Sequence, residues 1–169
     1  MHRKLTFIIL VLSLFSIPSF SLEISIDGKL EEDSWKNADE YTKYYESLPF
    51  TLNEPKDFQK VLILEDENGI YLGFVNEQAK ETVRANRHER DDEMANADKA
   101  GLAIDFDGDG LAAYAFTVSA GGSISDGIYR NENEVNYDWD ADWKSAVFID
   151  DNFWYIEMFI PWTIAPMKA

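Results

Sequence analysis

An all-β, antiparallel β-sandwich is the fold this sequence predicts, and three observations predict it. Apolar and polar residues alternate through a series of short segments, the period of strands with one face buried. Turn signals recur about every eight to twelve residues, the spacing of sandwich strands. Aromatic residues make up 14% of the chain, with Tyr 8, Phe 11 and Trp 5, and such side chains favour a pleated surface. The 169 residues suit one domain, and a hydrophobic share of 46% supplies a core.

Residues 1–21 read as a secretory signal. Arg3 and Lys4 give the basic start, Leu5 to Ile17 the apolar run, and Ser19-Phe20-Ser21 small residues for cleavage. The run is too short, and too soon broken by Pro18, to span a bilayer. No cysteine follows, which excludes lipoprotein-type attachment. The expectation is an exported protein (periplasmic, outer membrane-associated or extracellular), with a mature domain from 22 to 169 and no transmembrane span.

Along that domain, Glu23 to Asp27 reads as a short strand closed by Asp27-Gly28. Leu30 to Ala38 has an acidic start and a single large apolar residue, Trp35, which suggests one helical turn over a core edge. Tyr41 to Tyr45 reads as a strand and Pro49 to Pro55 as a loop. Val61 to Leu64 is apolar on both faces, like a central strand. Asn68-Gly69 is a hairpin turn, after which Ile70, Leu72 and Phe74 line one face of the return strand. Glu77 to Lys99 carries charges of both signs and is expected to cross between sheets.

Leu102 to Val118 is the sharpest local signal: two alternating strands around an acidic tip. A further strand is expected at Ser123 to Tyr129, then a polar stretch from Asn131 to Asp142. A last hairpin, Ala146 to Ile149 with Phe153 to Ile160, turns at Asp151-Asn152.

The formal net charge of −17 excludes nucleic acid and anionic membrane surfaces as partners, since phosphate binding needs a basic patch. Removing Arg3 and Lys4 with the signal makes the mature chain more acidic still. There is no cysteine, which rules out thiol catalysis and Cys-based zinc. Only His2 and His88 are present, so a His-based triad or multi-His metal site is excluded.

Oxygen-rich clusters without histidine favour calcium over transition metals. Asp105, Asp107 and Asp109 alternate ahead of Gly110 and resemble the first half of a calcium loop. The twelfth position is Phe116 and not Glu, so the helix-loop-helix site is excluded and a calcium-bearing hairpin remains, against an ordinary Asp-Gly turn. Asp138, Asp140 and Asp142 alternate with Trp139 and Ala141. They either share a cation or splay into water. Arg90-Asp91-Asp92 and Asp98 form either the polar wall of a ligand groove, further metal ligands, or a salt bridge pinning the crossing segment; the pin is the favoured reading. Trp35 and Trp143 are expected in the core. Trp139, Trp154 and Trp162 are the candidates for an exposed sugar-stacking platform, although a buried Trp needs no ligand. The ligand-binding candidates are thus Trp139, Arg90, Asp98 and Trp154. Glu157 faces away from Trp154, Ile156 and Met158 by alternation. No carboxylate pair is singled out for glycoside hydrolysis, and no catalytic residue is assigned.

The ordered series IDGKLEEDSW (26–35), VLILEDENGIYLGF (61–74), ERDD (89–92), DKAGLAIDFDGDGLAAYAFTVSAGG (98–122), WDADW (139–143) and WYIEMFIPW (154–162) resembles a family 9-type carbohydrate-binding module. Within that family it is similar to the amino-terminal module of large exported bacterial proteins that continue into a β-rich domain of uncharacterised function. The resemblance implies a jelly-roll-like antiparallel β-sandwich, often with structural calcium, and a carbohydrate ligand. Sugar-binding members clamp a ring between two tryptophans, assisted by a Glu and an Arg. The matching positions for one Trp, the Glu and the Arg hold Ala95, Gly101 and, nearby, Thr117. The resembling region ends near Ile160-Pro161, where the larger proteins run on, so a fragment of a longer product is expected. The functional expectation is a monomeric exported carbohydrate-binding module, non-catalytic by itself and stabilised by Ca2+. The alternative is an accessory or docking domain of a larger envelope protein or glycan-active hydrolase, whose activity would reside in a missing carboxy-terminal part.

Overall fold

The computed structural model describes residues 22–92, 95–130 and 134–166. The signal-peptide reading of residues 1–21 lies outside them. The chain is an all-β sandwich of two antiparallel sheets. Its strands are β1 (Asp39–Tyr41), β2 (Gln59–Glu65), β3 (Gly69–Glu77), β4 (Lys99–Ile104), β5 (Ala112–Ser119), β6 (Ile124–Arg130), β7 (Glu134–Asn136), β8 (Lys144–Ile149) and β9 (Phe153–Pro161). One sheet runs β1-β2-β3-β9-β8 and the other β4-β5-β6-β7.

Alternation decides what each strand buries. Leu72 and Phe74 of β3 and Ile156, Met158 and Ile160 of β9 pack in one core with Phe116 and Val118 of β5. Trp143 and Trp154 belong to the same core, and burying such rings is the main favourable term in folding. The acidic hairpin is β4–β5, with Leu102 opposite Phe116 and Ile104 opposite Tyr114. Residues 78–98 carry the chain from the five-stranded to the four-stranded sheet, as their mixed charge predicts.

A second, smaller core lies on the other face of the five-stranded sheet. Trp35, Leu62 and Tyr71 are buried there under Leu22, Ile24, Ile26 and Leu30. Residues 23–27, read from their pattern as a strand, pair with none. They form an extended strap: Leu22, Ile24 and Ile26 are half-buried while Glu23, Ser25 and Asp27 are exposed. The turn around Trp35 is a 3-10 helix, Asp33–Asn37, and the strand expected at 41–45 runs instead over Asp39–Tyr41. Gly73, in the middle of β3, leaves room for Leu30: a Cβ there would sit 2.5 Å from a Leu30 methyl.

Candidate functional site

Besides the Ser123 hydroxyl on the His88 backbone, two charged clusters hold the described part of the crossing segment. At the first, Asp98 accepts the Arg84 backbone N–H at 2.8 Å, the Gln78 side-chain amide at 2.9 Å and the Arg84 Nε at 3.0 Å. Burial works against ionisation, but these donors and the guanidinium charge outweigh it and hold the Asp98 carboxyl below the usual carboxylate range.

At the second point Arg90 joins three parts of the chain. Its guanidinium pairs with Asp126 of β6, which is fully buried, with Nε at 2.9 Å from Oδ1. It also pairs with Asp140 at 2.9 Å and donates to the Ala141 carbonyl at 3.1 Å. The other oxygen of Asp126 accepts the Ala141 N–H at 2.7 Å, and Asp91 accepts the Asp126 N–H at 2.9 Å. The pin is therefore Arg90 to Asp126 and Asp140, while Asp98 serves Arg84.

Asp91, Asp126 and Asp140 bring carboxylate oxygens within 4.8 Å of one another, the one such group among the described residues. Burial, together with the charges of Asp126 and Asp140, raises the Asp91 carboxyl above its usual range against the pull of the Asp126 N–H and Arg90. One guanidinium against three carboxylates leaves the group net negative. Oxygen donors with excess negative charge are what a hard cation takes, so this group could hold a metal ion beside Arg90.

The two aspartate series behave differently from that group. Asp105 spends its carboxylate on its own loop, accepting the N–H of Asp107 at 3.1 Å, Gly108 at 2.9 Å and Gly110 at 2.7 Å. Asp109 accepts the Leu111 N–H at 3.0 Å. Asp105, Asp107 and Asp109 thus organise a turn, with Gly108 and Gly110 at φ of 65° and 72°, and do not converge as a three-carboxylate group. In the second series Asp140 alone joins the Arg90 group, while Asp138 and Asp142 are exposed.

The tryptophan candidates do not make a platform. Trp154 is 4% exposed, and its indole N–H donates to the Gln78 side chain at 3.1 Å. Alternation along β9 aims it inward with Ile156 and Met158. Trp139 is half-buried, edge-on to Tyr114 and Phe116 at ring distances of 5.0 and 6.0 Å. Trp162 is half-buried and donates to the Asp66 carbonyl at 2.7 Å. Trp35 and Trp143 are buried, as read from the sequence.

Glu157 does face away from Trp154, yet it is fully buried, because the strap covers it. One oxygen accepts the N–H groups of Asp27 and Gly28, both at 2.8 Å, and the other the Trp35 indole N–H at 3.1 Å. Burial raises its carboxyl above the usual glutamate range, with Glu32 adding to the effect, and these three donors offset only part of it. It is a fastening and offers no oxygen to solvent.

A cleft of about 490 Å³ opens between the β1–β2 edge of one sheet and β4 of the other. Tyr41 and Tyr44 stand on one side, the amides of Gln59 and Asn76 contribute polar groups, and Phe74 and Leu102 belong to the apolar lining. Lys60 and Lys99 also line it, and no carboxylate does. No family model, curated protein or solved structure matches this chain. The site therefore stands on its own geometry. Gly101 lines the cleft, where the resemblance places the assisting Glu, but a Cβ on it would lie 2.3 Å from the Phe116 carbonyl oxygen. No side chain fits there unless β5 moves. Thr117, two residues before Ser119 on β5, pairs with Gly101 and turns away from the inward-facing Phe116 and Val118. Sequence reasoning missed Tyr41, Tyr44, Gln59 and Asn76, since the cleft is assembled from separate strands of both sheets. Among the described residues, no helix is long and apolar enough to cross a membrane.

Proposed function

We propose that this chain is an exported, monomeric, non-catalytic carbohydrate-binding module whose ligand enters the cleft between β2 and β4. The observation that carries the reading is the lining: two tyrosines beside two side-chain amides, with no carboxylate. Aromatic faces suit the C–H surfaces of a sugar ring and amides suit its hydroxyls. Glycoside hydrolysis requires a pair of carboxyl groups flanking the bond, and this lining supplies neither. The ordered resemblance to family 9-type modules supports the same class. Where that family clamps the ring with tryptophans, the aromatic groups available in this cleft are Tyr41 and Tyr44.

The test is a calorimetric titration of the protein against soluble glycans, once with calcium and once with chelator. Binding is expected, and Tyr41→Ala lowers the affinity about tenfold through loss of one stacking face. Absence of binding to every glycan in both conditions sinks the reading. The second reading, an accessory domain of a larger envelope protein, is favoured by a different observation: the exposed apolar loop between β1 and β2.

A further inference from the structure

Residues 46–53, within the β1–β2 connection, close on themselves through their own hydrogen bonds and leave their apolar side chains exposed. The Glu46 N–H donates to the Asn53 carbonyl at 2.8 Å and the Leu52 N–H to the Glu46 carbonyl at 3.1 Å, closing the loop. Inside it, the Thr51 N–H donates to the Pro49 carbonyl at 2.7 Å, and the Thr51 hydroxyl donates to the Glu46 carboxylate at 2.6 Å. Leu48 is 93% exposed, Phe50 78% and Leu52 57%. Scattered exposed apolar residues need no explanation, but a contiguous cluster marks an interaction site.

The distribution of chemistry along the loop identifies its partner. Residues 47–53 carry no charged side chain, in a chain where 28% of residues are charged. The charge at the neck, Glu46, is the one bonded to Thr51. Below the tip come Tyr45 and Tyr41, 62% and 56% exposed. Tyr45 lines a hollow together with Lys43, Lys56, Glu54, Asp57 and Glu77, so charges of both signs meet there. An uncharged tip of aliphatic and phenyl groups, flanked toward the strands by phenols and by charges of both signs, matches the passage from hydrocarbon to a zwitterionic interface. Backbone bonds made within the loop suit it to a medium poor in water.

We propose that this loop inserts its tip into the interfacial region of a zwitterionic lipid bilayer and holds the module peripherally on it. A net charge of −17 repels anionic lipid and also a second copy of the chain.

Vesicle co-sedimentation tests this, with phosphatidylcholine alone or mixed with phosphatidylglycerol. The protein is compared with the single variant Leu48→Ser, the double variant Leu48→Ser/Phe50→Ser, and Leu111→Ser, which alters an exposed leucine on the β4–β5 tip. All share the same N-terminus, so the apolar run at 5–17 contributes equally. Both tip variants should keep the wild-type Tm, because the altered side chains lie outside the core. The protein and Leu111→Ser are expected to bind phosphatidylcholine alike, and the double variant about tenfold or more weaker. Leu48→Ser falls between them, and phosphatidylglycerol weakens all binding at low salt. Equal sedimentation of wild type and double variant overturns the proposal, as does no sedimentation of either. So does a concentration-dependent dimer that the same substitutions abolish, since that would give the tip to a second copy.

Discussion

Glu157 places a carboxyl in the interior with hydrogen bonds, and no cation among the described residues, as its direct partners. Its three donors come from the strap and the 3-10 turn, so it fixes the N-terminal residues to β9. Glu157→Ala leaves two backbone N–H groups and an indole N–H buried without acceptors, and an orphaned buried donor costs about 1–3 kcal/mol. A drop of about that size in unfolding free energy by urea titration is the expected result, with the cleft's ligand affinity unchanged. Asp98 gives the opposite pH signature to Glu157. A carboxyl whose folded pKa lies below its unfolded value stabilises the fold fully above the unfolded value and loses that contribution as pH falls through the folded one. Glu157, raised by burial, stabilises most below the usual glutamate range and loses its contribution as pH climbs through the raised value. Stability measured against pH for Asp98→Asn should therefore show a flatter acid limb than the parent. An unchanged limb would remove Asp98 from the account.

At the scale of elements, the strap depends on one backbone position. Gly28 has φ of 90°, and a Cβ there would stand 2.7 Å from the Val147 carbonyl carbon. Gly28→Ala combines a left-handed conformation that L side chains rarely adopt with a backbone clash. The expected loss is about 2 kcal/mol or more, read as a lower thermal midpoint; an unchanged midpoint would mean that the strap shifts without cost. The strap also marks the limit of what alternation tells. Leu22, Ile24 and Ile26 alternate correctly, but the pattern reports half-buried extended backbone and is silent on whether a ladder neighbour exists. The β4–β5 and β8–β9 hairpins were legible because their turn residues and both flanking patterns agreed. For Trp154 and Glu157 the opposite faces were legible and the exposure was not, since both faces of β9 are covered. The aspartate spacing of the acidic tip likewise shows which residues share a loop, while the donors that claim Asp105, its own loop amides, emerge only from the backbone path.

Across the whole molecule, charge is the dominant surface property, and its densest internal meeting is Asp91, Asp126 and Asp140 around Arg90. None of these four was marked as a set by local spacing, because they come from the crossing segment, β6 and the loop before β8. If calcium completes the group, chelator lowers the thermal midpoint of the wild-type protein and leaves that of Asp140→Asn nearly unmoved. A wild-type midpoint indifferent to chelator would assign the group to Arg90 alone. The cleft is equally a property of the assembled sandwich: its walls belong to β1, β2, β3 and β4, and no short motif spans them.

The placement of the strap sets an order of events during synthesis. Asp27 is among the first residues of the domain to emerge, and its fastening, Glu157, lies 130 residues later. β9 also fills the place between β3 and β8 in its sheet. Until that strand arrives, β3 has an open edge and the strap has no acceptor, so the five-stranded sheet cannot close progressively behind the emerging chain. Folding of this layer is deferred until β9 has been made. Nascent chains cut short before residue 153 should remain fully protease-sensitive, with no protected amino-terminal half.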